Sequence, residues 1–163
     1  MEVEHKKLRI GWFSFSCCED STIMFTELLN DHFEEWLPLL DIRHARVLQS
    51  KNILDELDVA FIEGAISSDE QARRVQEIRE KSKKVVAIGS CAVMGLPAAQ
   101  RNFFNPQLTA EISPILTKFN YRQKAARLDE IISVDHKIPG CPMNNDVFLT
   151  TLAGLLKEFG IVP

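Results

Sequence analysis

Short apolar runs alternate along this chain with longer stretches in which apolar residues recur every third or fourth position. Leu8-Arg9-Ile10-Gly11-Trp12-Phe13-Ser14-Phe15, Val59-Ala60-Phe61-Ile62 and Lys84-Val85-Val86-Ala87-Ile88 are dense runs of strand length, and they predict buried strands. A further strand is expected around Ile42 to Leu48, at a sheet edge because Arg43 and Arg46 interrupt it, and a short last one over Ile131-Ile132-Ser133-Val134. Helical spacing appears after Ser21 or Thr22, where Phe25, Leu28, Leu29, Phe33 and Trp36 share a side until Pro38 ends the run. Ser67 and Ser68 open a polar helix to about Lys81 with Ala72, Val75 and Ile78 facing inward. Two more helices are expected, over Leu108 to Phe119 and from about Asn145 to Phe159, the second with Phe148, Thr151, Leu152 and Leu155 on one face. Residues 92–107 read as a long loop punctuated by Gly95, Pro97 and Pro106, and Ile138 to Pro142 as a shorter one.

Strands that alternate with helices predict an α/β fold with a parallel sheet covered on both sides. Five strands in 163 residues suit a flavodoxin-like, doubly wound five-stranded parallel sheet, expected as a single domain over residues 1–163. A net charge of −4 without a Lys/Arg stripe argues against nucleic acid as a partner. The segment Lys6-Lys7-Leu8-Arg9-Ile10 is neither a signal peptide nor an anchor, and no run approaches the roughly 20 apolar residues of a spanning helix. The expectation is a cytoplasmic protein without membrane insertion, or a soluble part of a larger complex.

The four cysteines change the picture. They allow two disulfides, a metal site or unrelated core positions, and without a secretory signal the disulfides are the weaker choice. Cys17 and Cys18 follow the first expected strand, Cys91 the fourth and Cys141 the fifth. Loops at the carboxyl ends of a parallel sheet converge on one edge, so thiols spread over more than 120 residues of sequence are expected to meet there. Four thiolates hold an iron–sulfur cluster, of either the 2Fe–2S or the 4Fe–4S type. Structural zinc accepts them too, but such sites usually use a Cys-x₂₋₄-Cys knuckle, which is absent here. A tandem pair sits awkwardly around one tetrahedral ion, whereas a cubane offers its irons at separate corners. Taken singly the signals are weaker: Cys91 after an apolar strand reads equally well as a small buried hydrophobe, and only the joint placement points to a cluster.

Gly89-Ser90-Cys91-Ala92 followed by Gly95, and Pro139-Gly140-Cys141-Pro142, resemble two cluster-binding loops of the nickel–iron hydrogenase small subunit, which the 20 kDa subunit of respiratory complex I shares. Phe61-Ile62-Glu63-Gly64-Ala65-Ile66 is similar to the third-strand signature of that family, and Ala92 to Asn102 is similar to the soluble, NAD(P)-coupled hydrogenases. The resemblance covers nearly the whole chain. It implies one 4Fe–4S cluster on Cys17, Cys18, Cys91 and Cys141, a separate large subunit carrying nickel and iron, and further Fe–S or flavin subunits as electron partners. Hydrogenase small subunits normally carry Cys-x-x-Cys after the first strand; aligned without gaps, Cys18 takes its first position and Ser21 its second, while Cys17 adds a thiol. A tandem pair at this point resembles the complex I subunits, which leaves a complex I-like or ferredoxin-linked subunit without nickel as the alternative. A zinc-stabilised interaction module is the lower one. Periplasmic relatives add a region with two more clusters; with no cysteine to spare, one cluster is expected here.

Other residues carry two readings each. Glu19 and Asp20 either tune the cluster or complement a helix N-terminus, an effect of about 0.3–1 kcal/mol. Glu63 at a strand end is a proton relay, a partner contact or an ordinary surface acid. His136 stands before the Cys141 loop, whereas His5, His32 and His44 carry no motif. Arg101, Phe103 and Phe104 either meet a partner or pack onto their own core. Ser14, Ser16, Ser21 and Thr22 superficially resemble the phosphate loop of a flavodoxin, but two cysteines sit in its middle.

Overall fold

The computed structural model describes residues 6–163. The first apolar run forms β1 (Leu8–Ser14), and the amphipathic segment after it forms α1 (Asp20–Asp31) and the short α2 (Phe33–Trp36). Then come β2 (Leu40–Ala45), β3 (Leu57–Glu63), β4 (Ile66–Ser68), α3 (Asp69–Glu80), β5 (Ser82–Ile88) and α4 (Gly89–Met94). The chain closes with α5 (Pro106–Lys118), β6 (Tyr121–Ala126), β7 (His136–Ile138) and α6 (Asn145–Glu158). Five strands form one sheet in the order β2-β1-β3-β5-β7, and every pairing in it is parallel. Counted along the main sheet this is the 2-1-3-4-5 order of flavodoxin-like folds.

Side-chain alternation on the central strands builds two cores. Val59 and Phe61 face one side with Trp12, Phe25 of α1 and Phe148 of α6, where the Trp12 and Phe25 rings stack at 4.3 Å. Ala60 and Ile62 face the other side with Phe13 and with Val75 and Ile78 of α3. All seven residues of β3 are buried, as a strand covered on both faces requires.

Four expectations need correction. Ile131–Val134 is not a strand: the last parallel strand is β7, a few residues later. The amide of Asp135 donates to the Val85 carbonyl and its carboxylate accepts from the Val85 amide, at 2.9 and 2.8 Å. This clamp starts pairing only at His136, while Ile131, Ile132 and Val134 serve the core without a ladder. Residues 92–107 are not one loop, since α4 holds Gly89 to Met94 and a 3-10 turn covers Gln100–Phe103. The β4–β6 antiparallel ribbon has no apolar signature, because Tyr121–Ala126 is largely polar and exposed. The first long helix breaks at His32, whose ring stacks on Trp36. The edge position of β2 is as expected, but it begins at Leu40 and ends at Ala45. Its outer rim is covered by its own loop, through Ile53 N–H to Arg43 C=O at 2.9 Å and Ala45 N–H to Asn52 Oδ1 at 2.8 Å.

At the opposite end of the sheet, Asp58 of β3 is buried and accepts from Arg9 N–H, Nε and Nη2 and from Lys83 Nζ, at 2.8–3.2 Å. Burial alone would raise its pKa; the Arg9 and Lys83 hydrogen bonds outweigh it and hold the carboxyl at about 2. A folded-state pKa below the unfolded value stabilises the fold above the unfolded pKa, and that contribution disappears as pH falls from about 4 to about 2. Asp58→Asn should therefore remove about 2 kcal/mol at neutral pH and flatten the acid limb of the stability curve. Urea midpoints measured at pH 7 and at pH 3 check this, and an acid limb unchanged in the variant would contradict it.

Candidate metal centre

The loops beyond the carboxyl ends of β1, β5 and β7 meet because the sheet order puts those strands on either side of β3. The β1 loop is stitched to the turn after β3: Phe15 N–H donates to Glu63 C=O, and Ser16 and Ala65 exchange both backbone bonds at 3.0–3.1 Å. Gly64 permits this approach, since it lies at φ +100° and a Cβ there would press on the Phe15–Ser16 backbone at 2.9 Å. Glu19, itself at φ +64°, then turns the chain from Cys17-Cys18 into α1. Cys91 is the third residue of α4, directly beyond β5. The Cys141 loop is tied to α4 by Ser90 N–H donating to Gly140 C=O at 2.7 Å. Gly140 is at φ +116°, where any side chain would collide with the Pro142 carbonyl oxygen.

All four thiols are free and line one small cleft. Cys18 and Cys141 are exposed, Cys17 is half-buried and Cys91 is buried. The sulfurs of Cys18 and Cys141 and a carboxylate oxygen of Asp20 lie within 4.8 Å of one another. Glu63 and Asp20 share the lining, and among the described residues no Lys, Arg or His contributes to it. This setting opposes thiolate formation. Burial, followed by the charge of Glu63, pushes Cys17 up to about 12. Burial also raises Cys91, with Cys18, Cys141 and Glu63 adding to it. At Cys18 the Asp20 backbone N–H lowers the pKa, but burial and the Asp20 carboxylate more than offset it. A cation in the cleft reverses that balance, because coordinated thiols lose their protons. Four sulfurs in a cleft free of positive side chains fit iron, and the donor set suits a cluster.

Beneath the thiols lies a hydrogen-bonded network with almost no trace in the sequence. The buried Glu63 carboxylate accepts from Ser21 N–H at 3.1 Å and from the Thr22 hydroxyl at 2.7 Å. Trp12 Nε1 donates to Thr22 Oγ1 at 2.8 Å, and Met143 N–H donates to Ser21 Oγ at 3.2 Å. Glu63 therefore ties β3 to the start of α1, and Ser21 ties α1 to the Cys141 loop. The one available signal is an acid ending an otherwise apolar strand just before glycine. The surface reading of Glu63 is overturned by its burial. Asp20 sits in the first turn of α1, beside the thiols.

The remaining candidates separate clearly. Arg101 is committed to its own chain, donating to the carbonyls of Ser67, Arg122 and Gln123, while Phe103 is 75% exposed. His136 pairs with Val86 at the start of β7, away from the strand's carboxyl end. His32 pairs with Glu35; His44 is buried and stacked on Phe13; His5 lies outside the described residues. The hydroxyls of the flavodoxin-like reading are used internally, Ser14 with Thr22 and Ser16 with Gln71. Among the described residues no helix is long and apolar enough to cross a membrane.

Comparison with known proteins agrees with this architecture. Residues 17–155 match the family model of the NADH ubiquinone oxidoreductase 20 kDa subunit. The chain is 33% identical over 171 residues to a subunit of the F420-non-reducing hydrogenase of Methanothermobacter marburgensis, covering 93% of this chain and 54% of that protein. It is 24% identical over 170 residues to the delta subunit of the NAD-reducing hydrogenase HoxS of Cupriavidus necator, covering 93% and 79%. The chain thus spans about half the length of the first of these relatives and most of the second. A chain of the NAD+-reducing NiFe-hydrogenase in its H2-reduced state has the same fold, with a TM-score of 0.76, 24% identity, and 94% and 93% coverage. On the strength of the family match, which takes in most of its length, this chain belongs to the NADH ubiquinone oxidoreductase 20 kDa subunit family, and it is similar to subunits of hydrogenases.

Proposed function

We propose that the chain is the electron-transfer small subunit of a nickel–iron hydrogenase and holds one 4Fe–4S cluster through Cys17, Cys18, Cys91 and Cys141. The observation that carries this is the convergence of four free thiols from three strand-end loops on one cleft that no positive side chain of the described residues lines. When bound, the cluster supplies a site that takes and gives one electron at a time. The chain's own residues do the positioning. Gly140 and Ser90 lock the Cys141 loop to α4, and Glu63 fixes the start of α1 beside Cys17 and Cys18. The whole chain acts in this reading as one cluster-binding domain, in the cytoplasm, where unpaired cysteines stay reduced. NAD(P) coupling through further Fe–S or flavin subunits is part of this reading, and similarity to a subunit of an NAD-reducing hydrogenase supports its NAD side.

The face for the large subunit lies next to the thiols. Cys17, Cys18 and Cys91 border a broad cleft that Pro97, Ala98, Arg101, Ile115, Leu116 and Tyr121 also line, with Ile115 and Tyr121 exposed. Apolar side chains grouped in this way support a protein interface. The tandem Cys17-Cys18 favours a second reading, a complex I-like subunit without nickel, consistent with the name of the family model.

Anaerobic purification with co-purifying partners, followed by iron, nickel and zinc analysis and hydrogen-dependent dye reduction, tests both readings. About four irons per chain and nickel in a larger partner are expected. Iron without nickel selects the complex I-like reading, and zinc alone or no metal overturns the electron-transfer role.

A further inference from the structure

The crossovers that leave β1, β3 and β5 all carry helices, but the one from β2 to β3, residues 46–56, carries none. In a doubly wound sheet a crossover helix covers the sheet face beside the strand it leaves. Its absence here leaves a cavity of about 400 Å³ against the ends of β1 and β2, within the range of small-molecule sites. The floor is apolar: Phe13 and the His44 ring, stacked at 4.2 Å, with Ile78 of α3 beside them. His44 Nδ1 is 3.1 Å from the Trp12 carbonyl and donates to it, and Nε2 has no hydrogen bond among the described residues. Burial holds this histidine towards its neutral form, with Arg74 and Arg46 acting in the same direction.

Arg46 and Arg74 line the same cavity. Arg46 has no hydrogen bond or ion pair among the described residues, and Arg74 uses one nitrogen, Nη1, on Glu77 at 2.6 Å. Guanidinium groups bind carboxylate and phosphate through paired N–H donors, and here most of those donors are uncommitted. Glu19 also lines the cavity and is the one acid among the described residues that does so. It limits the net positive charge and favours a ligand whose anionic head is confined to the arginine side.

We infer that this cavity binds a small organic anion, its phosphate or carboxylate head held by Arg46 and Arg74 and its apolar body laid against Phe13, His44 and Ile78. The site is separate from the cysteine cleft and independent of the electron-transfer reading. Only the segment from Ser14 to Thr22 stands between the two, with Glu19 and Thr22 facing this cavity and Cys17 and Cys18 the other.

Isothermal titration of the full chain, purified anaerobically, tests the inference with AMP as the phosphate probe and benzoate as the carboxylate probe. Inorganic phosphate and acetate serve as the matching heads without an apolar body. Binding of AMP or benzoate with a dissociation constant of about 1 mM or tighter is expected. The probe that binds identifies the head group. The double variant Arg46→Ala/Arg74→Ala should weaken that binding at least about tenfold. Arg46 is exposed and Arg74 partly so, and an unchanged far-ultraviolet dichroism spectrum confirms the variant is folded. Phe13 and Ile78 should matter separately, so inorganic phosphate and acetate should bind much more weakly than their larger counterparts. No heat from either probe, binding that the double variant retains, or equal binding of the bare heads would each overturn the inference.

Discussion

Alanine at Cys18, Cys91 or Cys141 should leave an anaerobically purified chain without its full iron content and without the broad visible absorption of a cluster. Cys91 and Cys141 are each the one cysteine of their strand-end loop, and the neighbour of Cys18, Cys17, is itself assigned to the cluster, so no spare sulfur can take over. The thiols of Cys17 and Cys91 are unfavourable as thiolates in the bare cleft, and only the cation's charge compensates them. Losing one ligand therefore weakens the binding of every other one, and partial occupancy should give way to loss of the group. The pair Cys17→Ala and Ser21→Ala separates the two candidates for the remaining ligand. Ser21 is buried, and its hydroxyl already accepts from Met143 N–H. Cys17 lines the cleft with an uncommitted thiol apart from a weak contact to Phe15 C=O at 3.8 Å. Cys17→Ala should lose iron and Ser21→Ala should keep it, at some cost in stability. The opposite pattern, measured by iron analysis on both variants, would refute the ligand set.

Glu63→Ala should destabilise the chain by about 1–3 kcal/mol, because it leaves the buried Ser21 N–H without an acceptor and takes from the Thr22 hydroxyl its 2.7 Å partner, with Ser14 Oγ at 3.1 Å as the remaining one. Trp12 loses support too, since its indole N–H depends on the Thr22 oxygen that Glu63 holds in place. The same change frees the start of α1, where Cys17 and Cys18 are aimed, so iron content should fall with stability. Glu63→Gln keeps one carbonyl oxygen for the Ser21 N–H but puts a donor NH2 where the second oxygen accepts from the Thr22 hydroxyl, and it should fall between the wild type and the alanine variant. Urea unfolding of the three proteins is the check. A cost below about 0.5 kcal/mol for Glu63→Ala would place the carboxylate outside the stabilising network.

What can be read from the chain in advance follows from the range of each signal. Val59-Ala60-Phe61-Ile62 and Val85-Val86-Ala87-Ile88 announce their strands because both faces are buried, so every position is apolar. Cys17, Cys18 and Cys91 announce a site because they stand a few residues past apolar strands, and strand direction alone sends those loops to one edge, where Cys141 joins them from beyond β7. The β4–β6 ribbon and β7 carry no comparable signal. β6 is half-exposed and polar, and β7 is three residues long, placed by the Asp135 clamp rather than by its own apolar content.

Local pattern and chain direction thus suffice for the α/β class, the flavodoxin-like order of the main sheet and the four thiols. Three-dimensional packing was needed to make Glu63 a buried tie between β3 and α1 rather than a surface acid. It was needed as well to commit Arg101 to bracing its own chain, and to leave Arg46, Arg74 and His44 around a cavity beside the helix-free crossover. One cause underlies each case. A charged side chain looks alike in sequence whether it meets water or a buried donor, and the partners of Glu63 lie about forty residues away along the chain.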